Sequence, residues 1–400
     1  MNSRERVLTA LCHEEPDRVP IDLGGMASTG IHAVAYNRLK RYLGLGGTTR
    51  VFDIVQHLAE VEEPVRRRFG VDVIALPRLE VLPGVRNIHW KPWTLPDGSP
   101  AEISADFHPV PAADGGWEIR SPEGMVLYRM PRNGFYFDPV EAPLAHADPT
   151  TLRTLELPRI GDEELRLLRE RARTLYTETE YAIVGAFGGN LLEMGQSLRG
   201  WTQFMIDLAS EPDWLEDFLE RITEMWMDSL ARYLDAVGDY IQVIQFGDDL
   251  GGQQRLLISP AMYRRLFKPR HRRMYEYVHA HSDCAVFLHS CGAIYELIPD
   301  LIEAGVDILN PVQTSAAGMD PARLKGEFGD RLVFWGGGCH TQYVLPRGTP
   351  AEVAADVRER LRVFAPGGGY VFAAIHNILP EIPPENVVTM FDAVRGWSAD

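Results

Sequence analysis

Three residues with metal-binding side chains follow two apolar runs in the second half of the chain. His289 and Cys291 come directly after residues 286–288, and Cys339 follows residues 332–335 through a short glycine run. A histidine and a cysteine separated by one residue in an extended segment can bind the same ion, and a third ligand then comes from another segment. A Cys/Cys/His set with an open fourth position is typical of catalytic zinc. The sequence therefore predicts a zinc site formed by His289, Cys291 and Cys339.

Further polar residues follow other apolar runs. Asp248 and Asp249 come after residues 241–246, and His376 ends the last apolar run of the chain. We predict catalytic roles for these three side chains, as a proton donor, a substrate anchor or a partner that orients His289. A solvated loop with a helix cap is the alternative interpretation of the two aspartates.

Glycines and an amide stand beside these candidates. Gly337 and Gly338 directly precede Cys339, and Asn377 directly follows His376. The glycines allow close backbone approach beneath Cys339, and no Lys-Ser/Thr pair follows them to complete a phosphate-binding loop. We predict that Gly337, Gly338 and Asn377 contact a cofactor at the same site.

Alternating strands and helices must position these residues. After residue 160, amphipathic helical segments, the longest over residues 200–235, separate six strand-like runs. This alternation indicates βαβ units with a parallel sheet. Two earlier runs bring the number of strands near eight. The predicted strands are residues 19–25, 71–76, 182–187, 241–246, 285–289, 307–310, 332–335 and 370–374.

The closed barrel is favoured over a doubly wound sheet. No G-x-G-x-x-G motif opens a helix after an early strand, whereas polar residues follow many different strands, as a barrel active site requires. We predict a single (β/α)8 TIM barrel domain over residues 1–400, in the α/β class, with an N-terminal helical segment. Short alternating runs between residues 78 and 140 predict a β-rich insertion or cap.

Composition excludes several classes of function. The formal charge of -16 argues against a nucleic-acid surface, which needs clustered lysine and arginine. No window holds about 18 or more uninterrupted apolar residues, so no membrane span is expected. The charged N-terminal twenty residues lack a signal-peptide core, and we expect a cytoplasmic protein. Cys12 and Cys284 are expected to be buried core residues.

Several segments resemble the uroporphyrinogen decarboxylase superfamily. The resemblance is close in the second half of the chain and looser around EPDRVPIDLGG near the N-terminus. It implies a (β/α)8 barrel, in agreement with the strand count. The segments are FGDDLGGQQRLLISPAMYRRLFKP (246–269), HSCGAIYELIPDLIEAGVDILNPVQ (289–313), FWGGGCHTQYVLP (334–346) and GGGYVFAAIHNILPEIPPENV (367–387).

Within this superfamily the chain is more similar to the zinc methyltransferase branch than to the decarboxylases. Decarboxylases carry an arginine-rich N-terminal motif that grips the acidic side chains of a porphyrinogen, and residues 18–25 contain no arginine cluster. The methyltransferase branch is marked by H-x-C and a later cysteine, which His289, Cys291 and Cys339 match. The fourth zinc ligand is left open between water, substrate and a carboxylate such as Glu193.

The resemblance implies a methyl transfer that involves a corrinoid. Because the chain has no D-x-H-x-x-G corrinoid-binding pattern, a partner protein would carry the cobalamin. The other substrate would be a small methylated compound such as a methyl ether (an O-demethylase reaction), or a thiol or folate. A metal-free decarboxylase-like lyase and a non-catalytic barrel that binds a tetrapyrrole or a partner are the alternatives. The sequence leaves open whether the chain is a monomer or a homodimer.

Overall fold

The computed structural model describes residues 1–121, 124–132 and 134–398. Along the chain, most of its α-helices connect consecutive strands of one parallel sheet. They are α1 (Ser3–Leu11), α2 (Ala33–Tyr42), α3 (Glu63–Phe69), α4 (Pro149–Arg153), α5 (Asp162–Glu178), α6 (Leu192–Arg199), α7 (Trp201–Ser210), α8 (Leu215–Val237), α9 (Pro260–Met262), α10 (Lys268–His281), α11 (Ile298–Ala304), α12 (Pro321–Phe328), α13 (Val344–Arg347), α14 (Pro350–Phe364) and α15 (Pro384–Arg395). Short 3-10 helices cover Ala27–Thr29 and Tyr295–Leu297, and a π-helix covers Tyr263–Phe267.

The strands form the parallel sheet and several small antiparallel sheets. They are β1 (Val51–Asp53), β2 (Leu58–Ala59), β3 (Val73–Leu76), β4 (Glu80–Leu82), β5 (Val85–Arg86), β6 (Trp90–Thr94), β7 (Pro100–Ser104), β8 (Val110–Pro111), β9 (Trp117–Arg120), β10 (Val126–Met130), β11 (Asp138–Pro139), β12 (Ala182–Gly188), β13 (Val243–Gly247), β14 (Ala285–His289), β15 (Ile308–Asn310), β16 (Val333–Trp335) and β17 (Tyr370–Val371).

Seven parallel strands form the wall of a barrel, in the order β3, β12, β13, β14, β15, β16, β17. The segment around Ile21 closes it, because Ile21 forms a parallel bridge with Phe372 and its carbonyl accepts a hydrogen bond of 2.8 Å from the N–H of Asp72. Ile21 thus stands in the position of an eighth strand. The predicted TIM barrel is confirmed, and each predicted run contains a strand or this bridge.

Apolar residues on both faces of the strands explain why the sheet is buried on both sides. One set fills the barrel interior, and the alternate residues pack against the surrounding helices. Val7 of α1 joins the interior set, so the N-terminal helix closes the bottom of the barrel. The interior strand residues are Val73, Ala182, Val184, Val243, Phe287, Ile308, Val333, Trp335 and Val371.

Two predicted features differ from the structure. The helical segment predicted over residues 200–235 is two helices, because Glu211 adopts a left-handed conformation (φ 49°) and Pro212 follows it. Cys12, expected in the core, is exposed, whereas Cys284 is buried as expected.

Antiparallel pairs occupy the region predicted to be a β-rich insertion. Strands β6 and β7 form the longest hairpin there, and β8 to β11 form a separate four-stranded sheet. The single-domain organisation itself stays a prediction. Among the described residues, no helix is long and apolar enough to cross a membrane.

Candidate metal site at the mouth of the barrel

The carboxyl ends of neighbouring strands bring the candidate residues together. His289 is the last residue of β14, Asn310 is the last residue of β15, and Asp248 follows β13 directly. His376 comes shortly after β17. In a parallel barrel these ends share one rim, which is where TIM barrels carry their active sites.

His289 is held in one orientation by the next strand. Its Nδ1 lies 2.6 Å from the Oδ1 of Asn310, and Asn310 is fixed in turn because its Nδ2 donates to the carbonyl of Trp335 at 2.8 Å. The amide oxygen is an acceptor, so Nδ1 carries the proton and Nε2 keeps a free lone pair. Nε2 lies 3.4 Å from the Sγ of Cys291, so its lone pair is available to a metal at this position.

His376 joins His289 and Cys291 as a third possible ligand. One donor atom from each of these three residues lies within 4.8 Å of the other two. Burial and the neighbouring His289 lower the pKa of His376 to about 4, partly offset by Asp249. His376 is therefore neutral at physiological pH, as a metal-binding imidazole must be.

Cys291 sits in an acidic environment. Its backbone N–H donates to Oδ1 of Asp249 at 2.7 Å. Burial raises the pKa of the Cys291 thiol, and the carboxyl groups of Asp249 and Glu193 raise it further. Without a cation the thiol therefore keeps its proton, whereas a bound divalent ion would favour the thiolate.

Cys339, the third predicted ligand, is not in this group. Its side chain is buried, and burial together with the nearby Asp356 raises the pKa of its thiol. The carbonyl of Cys339 accepts from the N–H of Ile375 at 3.4 Å, so its backbone adjoins the segment that carries His376. The role of Cys339 as a metal ligand stays a prediction, and His376 is the alternative third ligand.

Asp249 and Glu193 form a pair of acids beside the possible ligands. Oδ1 of Asp249 lies 3.7 Å from Nε2 of His289, and the N–H of Asp249 donates to Oε2 of Glu193 at 3.2 Å. Burial and the charges of Asp249 and Asp248 raise the pKa of Glu193 to about 8. Glu193 therefore holds a proton at neutral pH and can donate it.

Asp248 faces a helix end instead of the mouth. It is fully buried, and its carboxylate accepts from the N–H groups of Leu191, Leu192 and Glu193 at 2.8–2.9 Å. The same carboxylate lies 3.2 Å from Nε2 of the buried His271. Asp248 therefore fixes the start of α6, which carries Glu193, and its catalytic role stays a prediction.

The residues predicted to contact a cofactor have close backbone neighbours. A Cβ on Gly338 would lie 2.3 Å from Phe372, and one on Gly337 would lie 3.3 Å from Val312. The side-chain amide of Asn377 is oriented with its nitrogen towards the N-terminal 3-10 helix, where it donates to the carbonyls of Ala27 and Ser28. Cofactor contact by Gly337, Gly338 and Asn377 stays a prediction, and close packing already accounts for the two glycines.

A cavity of about 440 Å³ opens above the possible ligands. His289, His376, Asp249 and Glu193 line it together with the amides of Gln56, Asn190 and Gln245. Cys291 and His376 also line a neighbouring cavity of about 390 Å³. The possible ligands therefore stand between two spaces large enough for small molecules.

Sequence patterns gave no signal for two supporting residues. His271 lies inside α10 and reaches Asp248 only through the packing of that helix. Ser28 lies in the N-terminal 3-10 helix, and its Oγ donates to Oδ1 of Asn310 at 3.0 Å. Both contacts join residues far apart in the chain, which local spacing cannot predict.

Fold and site define the chain as a TIM-barrel protein with a histidine- and cysteine-containing site at the carboxyl rim. The family model for uroporphyrinogen decarboxylase (URO-D) matches residues 134–397. This match covers more than half of the chain, which therefore belongs to the uroporphyrinogen decarboxylase family, as its sequence resemblance predicted.

Individual relatives are more distant. The chain is 25% identical to a uroporphyrinogen decarboxylase of Thermus thermophilus over 60% of this chain and 67% of that protein. It is also 25% identical to one of Hahella chejuensis, over 66% of this chain and 74% of that protein. A solved methyltransferase from Methanosarcina mazei superposes with a TM-score of 0.57 and 21% identity, over 99% of this chain and 98% of the other. The superposition supports the fold.

Proposed function

We propose that this protein is a zinc-dependent methyltransferase that acts with a corrinoid. The methyl group moves between a small methylated substrate, or a thiol or folate, and a cobalamin carried by a partner protein. The cluster of His289, Cys291 and His376 at the barrel mouth carries this proposal, because its donor atoms lie within 4.8 Å of one another. Imidazole and thiolate are donors that zinc prefers, and three protein ligands leave a position open for substrate.

The residues around this cluster suit an ion. Asn310 fixes the tautomer of His289, so that Nε2 is free to coordinate. His376 is neutral, because burial and His289 lower its pKa. When bound, zinc would supply a Lewis acid that activates a thiol or polarises the oxygen of a methyl ether.

The protein's own acids would manage the proton of the reaction. Glu193 holds a proton at neutral pH in a cavity wall that also contains His289. The protonated form can donate to an alkoxide leaving group, and the ionised form can accept the proton of a thiol. Burial and the charge of Asp249 raise the pKa of Glu193 and keep it protonated, and Asp248 positions Glu193 through the start of α6.

A partner that carries a corrinoid must reach the mouth. One large aromatic side chain, that of Tyr343, is 61% exposed after β16, next to Gln342, which lines the cavity beside Cys291 and His376. Aromatic side chains of this kind are enriched at protein–protein interfaces. Tyr343 supports docking of the partner on this face of the barrel.

A metal-free decarboxylase is the second candidate, and the names of the curated relatives favour it. A porphyrinogen has several carboxylates and requires free cations. Arg78 lines the mouth cavity, but its Nε and Nη2 each donate to the carboxylate of Glu164 at 2.8 Å. Arg18 is bound to Asp72, at the opposite end of β3 from the mouth. Neither arginine is therefore free to bind a porphyrinogen carboxylate at the mouth itself, which weighs against the decarboxylase.

Metal analysis of the purified protein tests the proposal. We expect about one zinc ion per chain, lost in Cys291→Ala because a ligand is removed. Cys12→Ser is the matched control, since Cys12 is exposed and far from the cluster in the fold. His376→Ala and Cys339→Ala identify the third ligand, because only the variant that removes it releases the metal.

Activity completes the test. Zinc-loaded protein should transfer methyl groups between methylcobalamin and a thiol, or from a methyl ether to cob(I)alamin. Folded wild-type protein without zinc, or full zinc retention by Cys291→Ala, would contradict the metal site. Decarboxylation of a porphyrinogen by the Cys291→Ala variant would favour the second candidate.

A further inference from the structure

A second cavity of about 440 Å³ lies away from the metal-binding cluster, beside strand β3. One wall comes from β3 and the facing side of helix α5, and the aromatic rings of Phe52 and Trp90 form another part of the lining. Flat apolar walls of this kind bind planar rings. No residue of the metal-binding cluster takes part in this cavity.

Three arginines line this outer cavity: Arg50, Arg66 and Arg171. Arg50 and Arg66 also form ion pairs, at 3.1 Å and 3.2 Å, with glutamates. Arg171 forms no ion pair within residues 1–121, 124–132 and 134–398, and its Nη2 donates only to the carbonyl of Asn87, at 2.9 Å. A guanidinium has five N–H donors in a planar fork that matches a carboxylate. Arg171 therefore has donors left for a ligand.

Two glutamates also face the outer cavity, and they reduce its positive charge. Glu170 is bound to Arg166 at 2.7 Å along α5. Burial lowers the pKa of Arg171, and the charge of the exposed Glu60 partly offsets this effect. Both carboxylates are acceptors only when ionised. Of the cations in the lining, Arg171 is therefore the one with donors left for a ligand carboxylate.

A middle cavity of about 260 Å³ has lining residues in common with both the outer cavity and the mouth cavity. It shares Phe52, Ala75 and Pro77 with the outer cavity. It shares Arg78 and Gln245 with the mouth cavity that contains His289 and His376. The three spaces therefore form a row along the inside of the N-terminal part of the chain.

We infer that the outer cavity binds a flat aromatic carboxylate. The carboxylate binds Arg171, and the ring lies against Trp90 and Phe52. Resting on the proposed function, this ligand is the distal part of an elongated methyl-transfer substrate whose reacting end extends through the middle cavity to the mouth.

Calorimetric titration with 6-hydroxy-2-naphthoate tests the site without metal or methyl transfer. We expect this probe to bind on the order of tenfold more tightly than 2-naphthol, which lacks the carboxylate. Arg171→Gln should weaken its binding by a similar factor. Arg173→Gln is the matched control, because Arg173 is exposed on the same helix and does not line the cavity.

Two further variants keep the test decisive if Arg171→Gln is unstable. Thr174→Phe fills the outer cavity from an exposed position on α5 without removing a charge, and should abolish binding of the probe. Val55→Phe fills only the middle cavity, and should weaken an extended probe, 6-benzyloxy-2-naphthoate, but not the short one.

Equal binding of 2-naphthol, or unchanged binding by Thr174→Phe, would overturn the site. Equal effects of Val55→Phe on the two probes would overturn the connection to the mouth. Because these titrations need no zinc, their failure is distinct from a failure of the methyltransferase proposal.

Discussion

The two ends of the barrel hold their acidic side chains in opposite ways. At the N-terminal end, Asp72 is fully buried, and Arg6 and Arg18 each bind its carboxylate at 2.7 Å. At the mouth, Glu193 and Asp249 have no lysine or arginine within ion-pair distance in the described part of the chain. A paired charge supports the fold, whereas unpaired acids are held together at a cost in stability. Such strained groups are candidates for chemistry.

Asp72→Ala should have the largest effect on stability. It leaves Arg6 buried without one of its partners and removes the acceptor of the Ile21 N–H, which is bound at 2.9 Å. We expect a loss of about 3–5 kcal/mol in the free energy of unfolding, measured by denaturant titration. Asp17→Ala is the control: it removes a half-exposed partner of Arg6 and should cost about 1 kcal/mol or less. Equal costs for the two variants would contradict the comparison.

Glu193→Gln should act in the opposite direction. The folded protein keeps a proton on Glu193, whose pKa is raised from 4.5 to about 8, while the unfolded chain loses it. Stability contributed by that proton is complete below pH 4.5 and is lost as the pH rises towards about 8. Glutamine avoids this loss, so the variant should exceed the wild type in stability at pH 8, by on the order of 2 kcal/mol. The difference should shrink towards pH 5, and a destabilised variant at pH 8 would show that Glu193 supports the fold.

His57 provides a smaller, third test of unpaired buried groups. It is fully buried, neither ring nitrogen has a partner, and burial lowers its pKa from 6.5 to about 4. The folded protein excludes a proton that the unfolded chain binds, so stability is lost as the pH falls from 6.5 to about 4. His57→Asn tolerates the left-handed backbone (φ 53°) and should reduce this loss by on the order of 1 kcal/mol between pH 7 and pH 5. Parallel stability curves for variant and wild type would refute this.

Much of the fold could be predicted because barrel strands are buried on both faces and stand out as apolar runs. Each run after residue 160 contains a strand of the parallel sheet. The early run at 19–25 forms only a bridge at Ile21, and its proline and two glycines do not reveal how little of the run pairs. The break between α7 and α8 was missed because it depends on the backbone at Glu211.

Prediction of the site was less complete, for a physical reason. Strand ends identify which residues share a rim, and His289, Cys291 and His376 meet there. Spacing does not determine where a side chain points after a turn. Asp248 and Asp249 are adjacent in sequence, yet the first caps α6 and the second faces His289. Cys339 is a second example, because its loop reaches the rim while its thiol is buried near Asp356.

The bridge between Ile21 and Phe372 has a consequence for synthesis on the ribosome. The segment around Ile21 is synthesised early, but Phe372, its partner in the bridge, follows β17. It therefore emerges only when nearly the whole chain has been made. Domains of this size fold through intermediates during synthesis. Until then the nascent barrel is an open, curled sheet with two unpaired edges. The bridge between Ile21 and Phe372 is the last part of the barrel wall to close.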